Sequence, residues 1–354
     1  MDITFETSKK AINHPRRSHN RRITIQDPCL TRNIIRSNGS QREIENKSNI
    51  FLEESIIIMA YNNSNNKNNN NIVVVFDFDK TIIDVDSDNW VIDELGFTDL
   101  FNQLLPTMPW NTLMDRMMKE LHDHGKTIEE IKQVLTTIPI HPRVVPAIKS
   151  AYALGCELRI VSDANMFFIE TLVEHLGISE LFSEINSNPG FVDERGTLRI
   201  SPYHDFTTTP HGCSNSTCPP NMCKGLIIER IQQSLAKEGK KKMIYLGDGA
   251  GDYCPSLKLK AEDYVMPRKN FPVWDLISQN PMLIKAAIRE WTDGQSLEMV
   301  LIGIIEEIRL EEEKEKMLNS AETNCKMQTI SVGINSVHHE PILMPRALRV
   351  SQSS

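Results

Sequence analysis

Regular patterning begins abruptly at Ile72. The segment Ile72-Val73-Val74-Val75-Phe76 is a short unbroken apolar run, rich in β-branched side chains and bounded by polar residues. It shows no apolar/polar alternation, so both of its faces must be covered, as in a strand within a parallel sheet. Three later runs share this character, at 158–161, 243–246 and, more weakly, 264–266. Helical periodicity fills the intervals. A long helical region covers about 87–154, a helix follows over 166–176, and another spans 222–235. A last amphipathic helix runs from about 296 into the charged stretch 306–316. Strands alternating with helices predict an α/β fold with a doubly wound, Rossmann-like parallel sheet.

The interval between the first two strands is too long for one crossover. Residues 88–140 hold several helical patterns, with breaks at Pro106, Pro109, Gly125 and Pro139. They are expected to form a helical cap inserted after the first strand, leaving 72–87 and 141–318 as the α/β core. Residues 1–71 differ in kind: 62–71 are almost pure asparagine, and the basic segment before them has little periodicity. The expectation is a disordered, basic and Asn-rich leader, within which Met59 opens an alternative start. Residues 319–354 read as a flexible tail.

Composition narrows the class. Hydrophobic content of 40% and charged content of 24% allow a sizeable core, and a net charge of −8 argues against a generic nucleic-acid binder. Residues 1–50 carry ten Lys/Arg against five Asp/Glu, so the remainder stands at −13. An acidic body that meets a phosphorylated substrate needs a cation between them. No run of 18 apolar residues predicts a membrane span. Seven cysteines, four of them scattered (Cys29, Cys156, Cys254 and Cys325), fit reduced thiols and a cytoplasmic location. The sequence leaves oligomeric state open, a homo-oligomer included.

The chemistry gathers at predicted strand ends, where open α/β sheets place their sites. Asp77 and Asp79, directly after the first strand, suit a nucleophile and a general acid/base, because crowding two carboxylates raises the proton affinity of one. Ser162 at the second strand end can donate to a phosphoryl oxygen. Lys224, opening a helix, can meet the negative charge of phosphoryl transfer, whereas Lys80 is expected to point away or pair with a carboxylate. The loop Gly247-Asp248-Gly249-Ala250-Gly251-Asp252 supplies hard oxygen ligands for Mg2+. The expected metal set is Asp77, Asp79, Asp248 and Asp252, with Asp77 and Asp248 giving carboxylates and Asp252 bracing them.

These pieces resemble the haloacid-dehalogenase superfamily, whose signature is DxDx[TV], then Ser/Thr, then Lys, then GDxxxD. Asp77, Asp79 and Thr81 match the first element, and Ser162, Lys224, Asp248 and Asp252 match the rest, over roughly residues 72–280. The stretches "FDFDKTIIDVDSDNW", "IVSDAN", "CPPNMCKG" and "YLGDGAGDYCP" are similar to the phosphoethanolamine/phosphocholine phosphatases and, more closely, to their plant branch of phosphate-starvation-induced, pyrophosphate-specific phosphatases. The resemblance implies a Mg2+-dependent phosphatase working through an aspartyl-phosphate, with Asp88 and Asp163 in substrate binding.

The substrate stays divided at this level. Carboxylates at Asp88 and Asp163 would attract the ammonium of ethanolamine or choline, with Trp90 or Trp110 available for a cation–π contact, although both tryptophans read first as cap core. Pyrophosphate would instead want cations, for which Arg116 and Lys119 are candidates. Thiamine monophosphate is a further cationic option. A phosphotransferase or phosphomutase would share the chemistry. Finally, His211, Cys213, Cys218 and Cys223 read either as a structural zinc site or as a loop of free thiols. Four residues separate Cys213 from Cys218, where relatives show Cys-x-x-Cys.

Overall fold

A computed structural model describes residues 71–239 and 241–332, and the leader expected at the amino terminus lies outside the described residues. Six strands build the main sheet: β1 (Ile72–Phe76), β2 (Glu157–Asn165), β3 (Phe182–Asn188), β6 (Lys242–Gly247), β7 (Tyr264–Pro267) and β8 (Ala287–Ile288). Their order is β3-β2-β1-β6-β7-β8, and every neighbouring pair is parallel. The chain winds outward from β1 through β2 to β3, then returns to β6 on the other flank of β1. The strand order therefore reverses between β1 and β6, and a crevice opens at their carboxyl ends.

The unbroken apolar run of β1 follows from this position. Ile72, Val74 and Phe76 face one layer, where they pack with Leu158, Ile160 and Leu246 under α5 (Val144–Ala153) and α10 (Gly294–Val332). Val73 and Val75 face the other, with Ile228 and Ile231 of α7 (Lys224–Glu238) and Val273 and Ile277 of α9 (Pro272–Gln279). All five β1 residues are buried, so each side chain in the run loses water on folding, worth roughly 1.5–3 kcal/mol apiece.

Five α-helices stand between β1 and β2: α1 (Ser87–Glu94), α2 (Thr98–Leu104), α3 (Trp110–Asp123), α4 (Ile128–Leu135) and α5, with α6 (Met166–His175) following β2. Breaks fall at the marked Pro106 and Pro109, between α2 and α3, and at Gly125 (φ 83°), with a further one at Gly96 (φ 82°) that the sequence reading did not mark. Helix α3 buries Leu113, Met114, Met117, Met118 and Leu121, an i, i+3/i+4 stripe. These residues join the same apolar cluster as one face of the sheet, so no solvent layer separates the insertion from the core.

Three features depart from the sequence pattern. Strand β3 went unpredicted because its buried end is polar: Asn186, Ser187 and Asn188. Asn188 Nδ2 donates to the carbonyls of Asp163 (2.7 Å) and Ala164 (2.8 Å), which holds the irregular end of β2. An antiparallel hairpin, β4 (Gly190–Val192) and β5 (Leu198–Ile200), is anchored to α3 through Asp115, which accepts from Arg199 Nε (2.8 Å) and Ile200 N (3.0 Å). Helix α10 continues to Val332, past residue 318 where the tail was expected. No Gly or Pro stands between Gly303 and Gly333, and an established helix propagates cheaply until a breaker arrives.

Candidate active site

Asp77 sits one residue beyond β1, and its N–H donates to Leu246 O at 2.9 Å, extending the β1–β6 pairing to the switch point. Its Oδ1 accepts from Phe78 N (2.7 Å) and lies 2.9 Å from Lys224 Nζ. Lys224, first residue of α7, is itself buried and reaches Asp252 Oδ1 at 2.9 Å and Asp163 Oδ1 at 3.4 Å. Burial alone would strip its proton, but Asp252, Asp77 and Asp163 outweigh that and hold its pKa well above the ordinary lysine value.

Asp252 is fully spoken for by protein. Oδ1 accepts from Tyr245 OH (2.6 Å) as well as Lys224, while Oδ2 accepts from Asp248 N (3.1 Å) and Gly249 N (2.9 Å). The Asp248 carboxylate, by contrast, accepts no hydrogen bond from the described residues. Burial, then Asp252, pushes Asp248 up to about 7. Burial, then Asp252, raises Asp77 well above the carboxylate range, against the pull of Lys224.

Asp79 turns the other way. Its Oδ1 accepts from Ser87 N at 3.1 Å, and burial with Asp86, Asp88 and Asp77 nearby raises its pKa well above the ordinary value. Lys80 pairs with Asp86 at 3.4 Å, as expected of it. Its φ of 52° marks the sharp turn that lets Asp77 and Asp79 diverge. Ser162 is fully buried inside β2, where the register with β3 shifts, and its Oγ accepts from Ala164 N at 3.3 Å.

Comparison with known proteins adds lineage to this geometry. The model of a family described as Putative Phosphatase matches residues 72–305. The chain is 91% identical over 296 residues to an Arabidopsis thaliana protein named inorganic pyrophosphatase 1, covering 84% of this chain and 100% of that one. It is 77% identical to inorganic pyrophosphatase 2 of the same plant, over 77% of this chain and 95% of the other. It is 49% identical to an Arabidopsis thiamine phosphate phosphatase-like protein, over 68% and 97%. The chain belongs to the putative phosphatase family.

As a putative phosphatase of the haloacid-dehalogenase type, the chain is an enzyme of a family that generally uses a divalent metal. The donors fit one. Asp77, Asp248 and Asp252 each bring a carboxylate oxygen within 4.8 Å of the others, all buried, with Lys224 beside them. Asp252 is saturated by protein donors, which leaves Asp77 and Asp248 to present free oxygens. Two carboxylates plus water and phosphate suit a hard cation.

The remaining expected residues spread out. Asp88, in the first turn of α1, is buried and accepts from Trp110 Nε1 (2.7 Å) and Asn165 Nδ2 (3.5 Å), so it ties the insertion to the end of β2. Asp163 is 47% exposed at its side chain. Arg116 is exposed and paired with Glu120 one turn on, and Lys119 is exposed as well. Sequence reasoning missed Tyr245, though a hydroxyl inside an apolar strand must find a partner and so was a signal. It also missed Arg268, which donates to Lys80 O and stacks over Phe271 (4.4 Å) and Trp291 (5.0 Å) to brace the Lys80 turn.

The cysteine loop needs a correction. His211 turns to backbone, with Nδ1 accepting from Cys213 N (3.1 Å) and Nε2 facing Pro219 O (3.2 Å). The fourth member beside Cys213, Cys218 and Cys223 is Cys254, which the fold carries in on α8 (Tyr253–Lys258) from 31 residues beyond Cys223.

Proposed function

We propose that this chain is a Mg2+-dependent phosphatase that hydrolyses a small phosphorylated metabolite through an aspartyl-phosphate at Asp77, with inorganic pyrophosphate as the leading substrate. The observation that carries the reading is Lys224 Nζ, buried and 2.9 Å from both Asp77 and Asp252, beside a carboxylate at Asp248 that has no hydrogen-bond donor among the described residues. Asp77 and Asp248 would hold the cation, which supplies charge neutralisation at the phosphoryl oxygens. Asp77 Oδ attacks phosphorus and forms an acyl-phosphate bond as the bond to the leaving oxygen breaks. Asp79, whose pKa is raised by burial and by its acidic neighbours, gives a proton to that oxygen. Water then attacks the phosphorus, Asp79 takes a proton from it, and phosphate departs as the Asp77 carboxylate is restored. Lys224 faces the charge that builds on the phosphoryl oxygens, and Ser162 offers a hydroxyl to the same group.

The insertion at 88–140 acts in this reading as a cap, with Asp88 and Asp163 facing the leaving group. Burial, then Asp86, pushes Asp88 up to about 8 against the hydrogen bond from Trp110, so this carboxyl is mostly neutral near pH 7. The names of the two plant relatives, 91% and 77% identical to this chain, favour pyrophosphate over phosphoethanolamine and phosphocholine. Reduced thiols at five described cysteines support a cytoplasmic site of action.

Phosphate release with Mg2+ from pyrophosphate, phosphoethanolamine, phosphocholine and thiamine monophosphate, compared by kcat/KM, tests the substrate. Pyrophosphate is expected to lead by about tenfold, or about 1.4 kcal/mol. An equal lead for the amine esters would return Asp88 to ammonium binding. Steady phosphate release in water separates a phosphatase from a phosphotransferase. Asp77→Asn is expected to show no turnover, and near wild-type turnover in that variant would sink the mechanism.

A further inference from the structure

Four sulfurs meet beside the active site without forming a disulfide. The Sγ–Sγ distances are 3.7 Å for Cys213–Cys218, 3.7 Å for Cys213–Cys254, 3.6 Å for Cys218–Cys223 and 3.8 Å for Cys223–Cys254. A disulfide needs about 2.05 Å. Four ligands at a zinc–sulfur distance of about 2.3 Å on a tetrahedron stand about 3.8 Å apart, which is the spacing found. All four sulfurs lie within 4.8 Å of one another, so they form one closed group rather than two pairs.

The surroundings match that closed group. Cys223 is the N-cap residue of α7, where the helix amino end favours thiolate over thiol. Gly225 is the residue that admits Cys254, because a Cβ there would lie 2.5 Å from its sulfur. Cys213 and Cys218 belong to the loop before α7, and Cys254 to α8, so the group joins three segments that share no strand pairing.

We propose that Cys213, Cys218, Cys223 and Cys254 hold a structural zinc ion that fixes the loop 205–223 and helices α7 and α8 around the active site. Cys223 directly precedes Lys224, and Cys254 stands two residues past Asp252. The metal therefore clamps the chain on both sides of the 2.9 Å contact between Lys224 and Asp252. It is a positioning element and touches no substrate.

The test is metal content of the full chain, purified without chelator, with cobalt substitution as the second readout. One zinc per chain is expected, and cobalt exchange should give the thiolate-to-metal charge-transfer absorption of a tetrahedral site. Cys218→Ser and Cys254→Ser should lose both signals, whereas His211→Ala and Cys156→Ser should keep them. The cobalt spectrum of the unaltered chain needs no variant to fold, and neither readout depends on the substrate. Absence of zinc together with no thiolate–cobalt band would overturn the proposal, as would thiol titration showing two disulfides. Loss of the metal in His211→Ala would overturn the four-cysteine ligand set.

Discussion

Asp88 keeps its proton where an exposed aspartate would not. Its ordinary value is 3.8, and in the folded chain burial and Asp86 raise it to about 8. Between those values the folded state binds more protons than the unfolded one, so raising the pH across that window favours unfolding. Asp88→Asn removes the titration. The fall in Tm between about pH 4 and pH 8 should therefore be less steep in the variant, with Asp77, Asp79 and Asp248 supplying the slope that remains, by linkage. Parallel slopes in the two proteins would mean that Asp88 is ionised throughout. The proposal of Asp77 as nucleophile and Asp79 as acid rests on residue type and spacing. The opposite orientations of their carboxylates were not legible there, because they depend on the Lys80 turn and on Arg268, which donates to it from 188 residues away.

At the scale of elements, the end of β6 decides where Asp252 stands. A Cβ on Gly247 would sit 2.4 Å from Asp252 Cγ, closer than any relaxed contact. Gly247→Ala must push Asp252 from Lys224 and Tyr245 or bend the strand. Displacements of about 1 Å can cost about 100-fold in rate, and overpacking adds about 1–3 kcal/mol of destabilisation. The expected result is a kcat loss of that order with a smaller change in KM and a lower Tm. Wild-type kcat in this variant would show that the Asp252 position is not required. The glycine run was readable as a tight turn. That Gly247 in particular makes room for a carboxylate follows from its neighbour in space.

Across the whole molecule, buried negative charge accumulates at the switch point, with Asp77, Asp248 and Asp252 around one buried lysine. Such a cluster costs stability until a cation joins it. Mg2+ should raise the Tm, and a ligand at 100 times its Kd adds about 2.7 kcal/mol. Asp248→Asn removes one charge and one proposed ligand together. Its metal-free form should melt above metal-free wild type, and added Mg2+ should shift it little. A full Mg2+ shift in the variant would remove Asp248 from the ligand set. Among the described residues, no helix is long and apolar enough to cross a membrane.

The amino-acid sequence by itself determined the parallel α/β class, the helical insertion with its Pro and Gly breaks, and the order of Asp77, Ser162, Lys224 and Asp248 along the chain. Those are local properties: apolar runs demand coverage on both faces, breakers end helices, and strand ends collect chemistry. Tertiary structure decided the rest. It joined β3 to the sheet by burying polar residues against the carbonyls of β2, and it replaced His211 with Cys254 in the sulfur cluster. It also saturated Asp252 while leaving the Asp248 carboxylate without a hydrogen-bond donor among the described residues. Each of these outcomes depends on which distant segments meet at the β1–β6 switch point, and pairing across the fold has no signature in the spacing of residues along one segment.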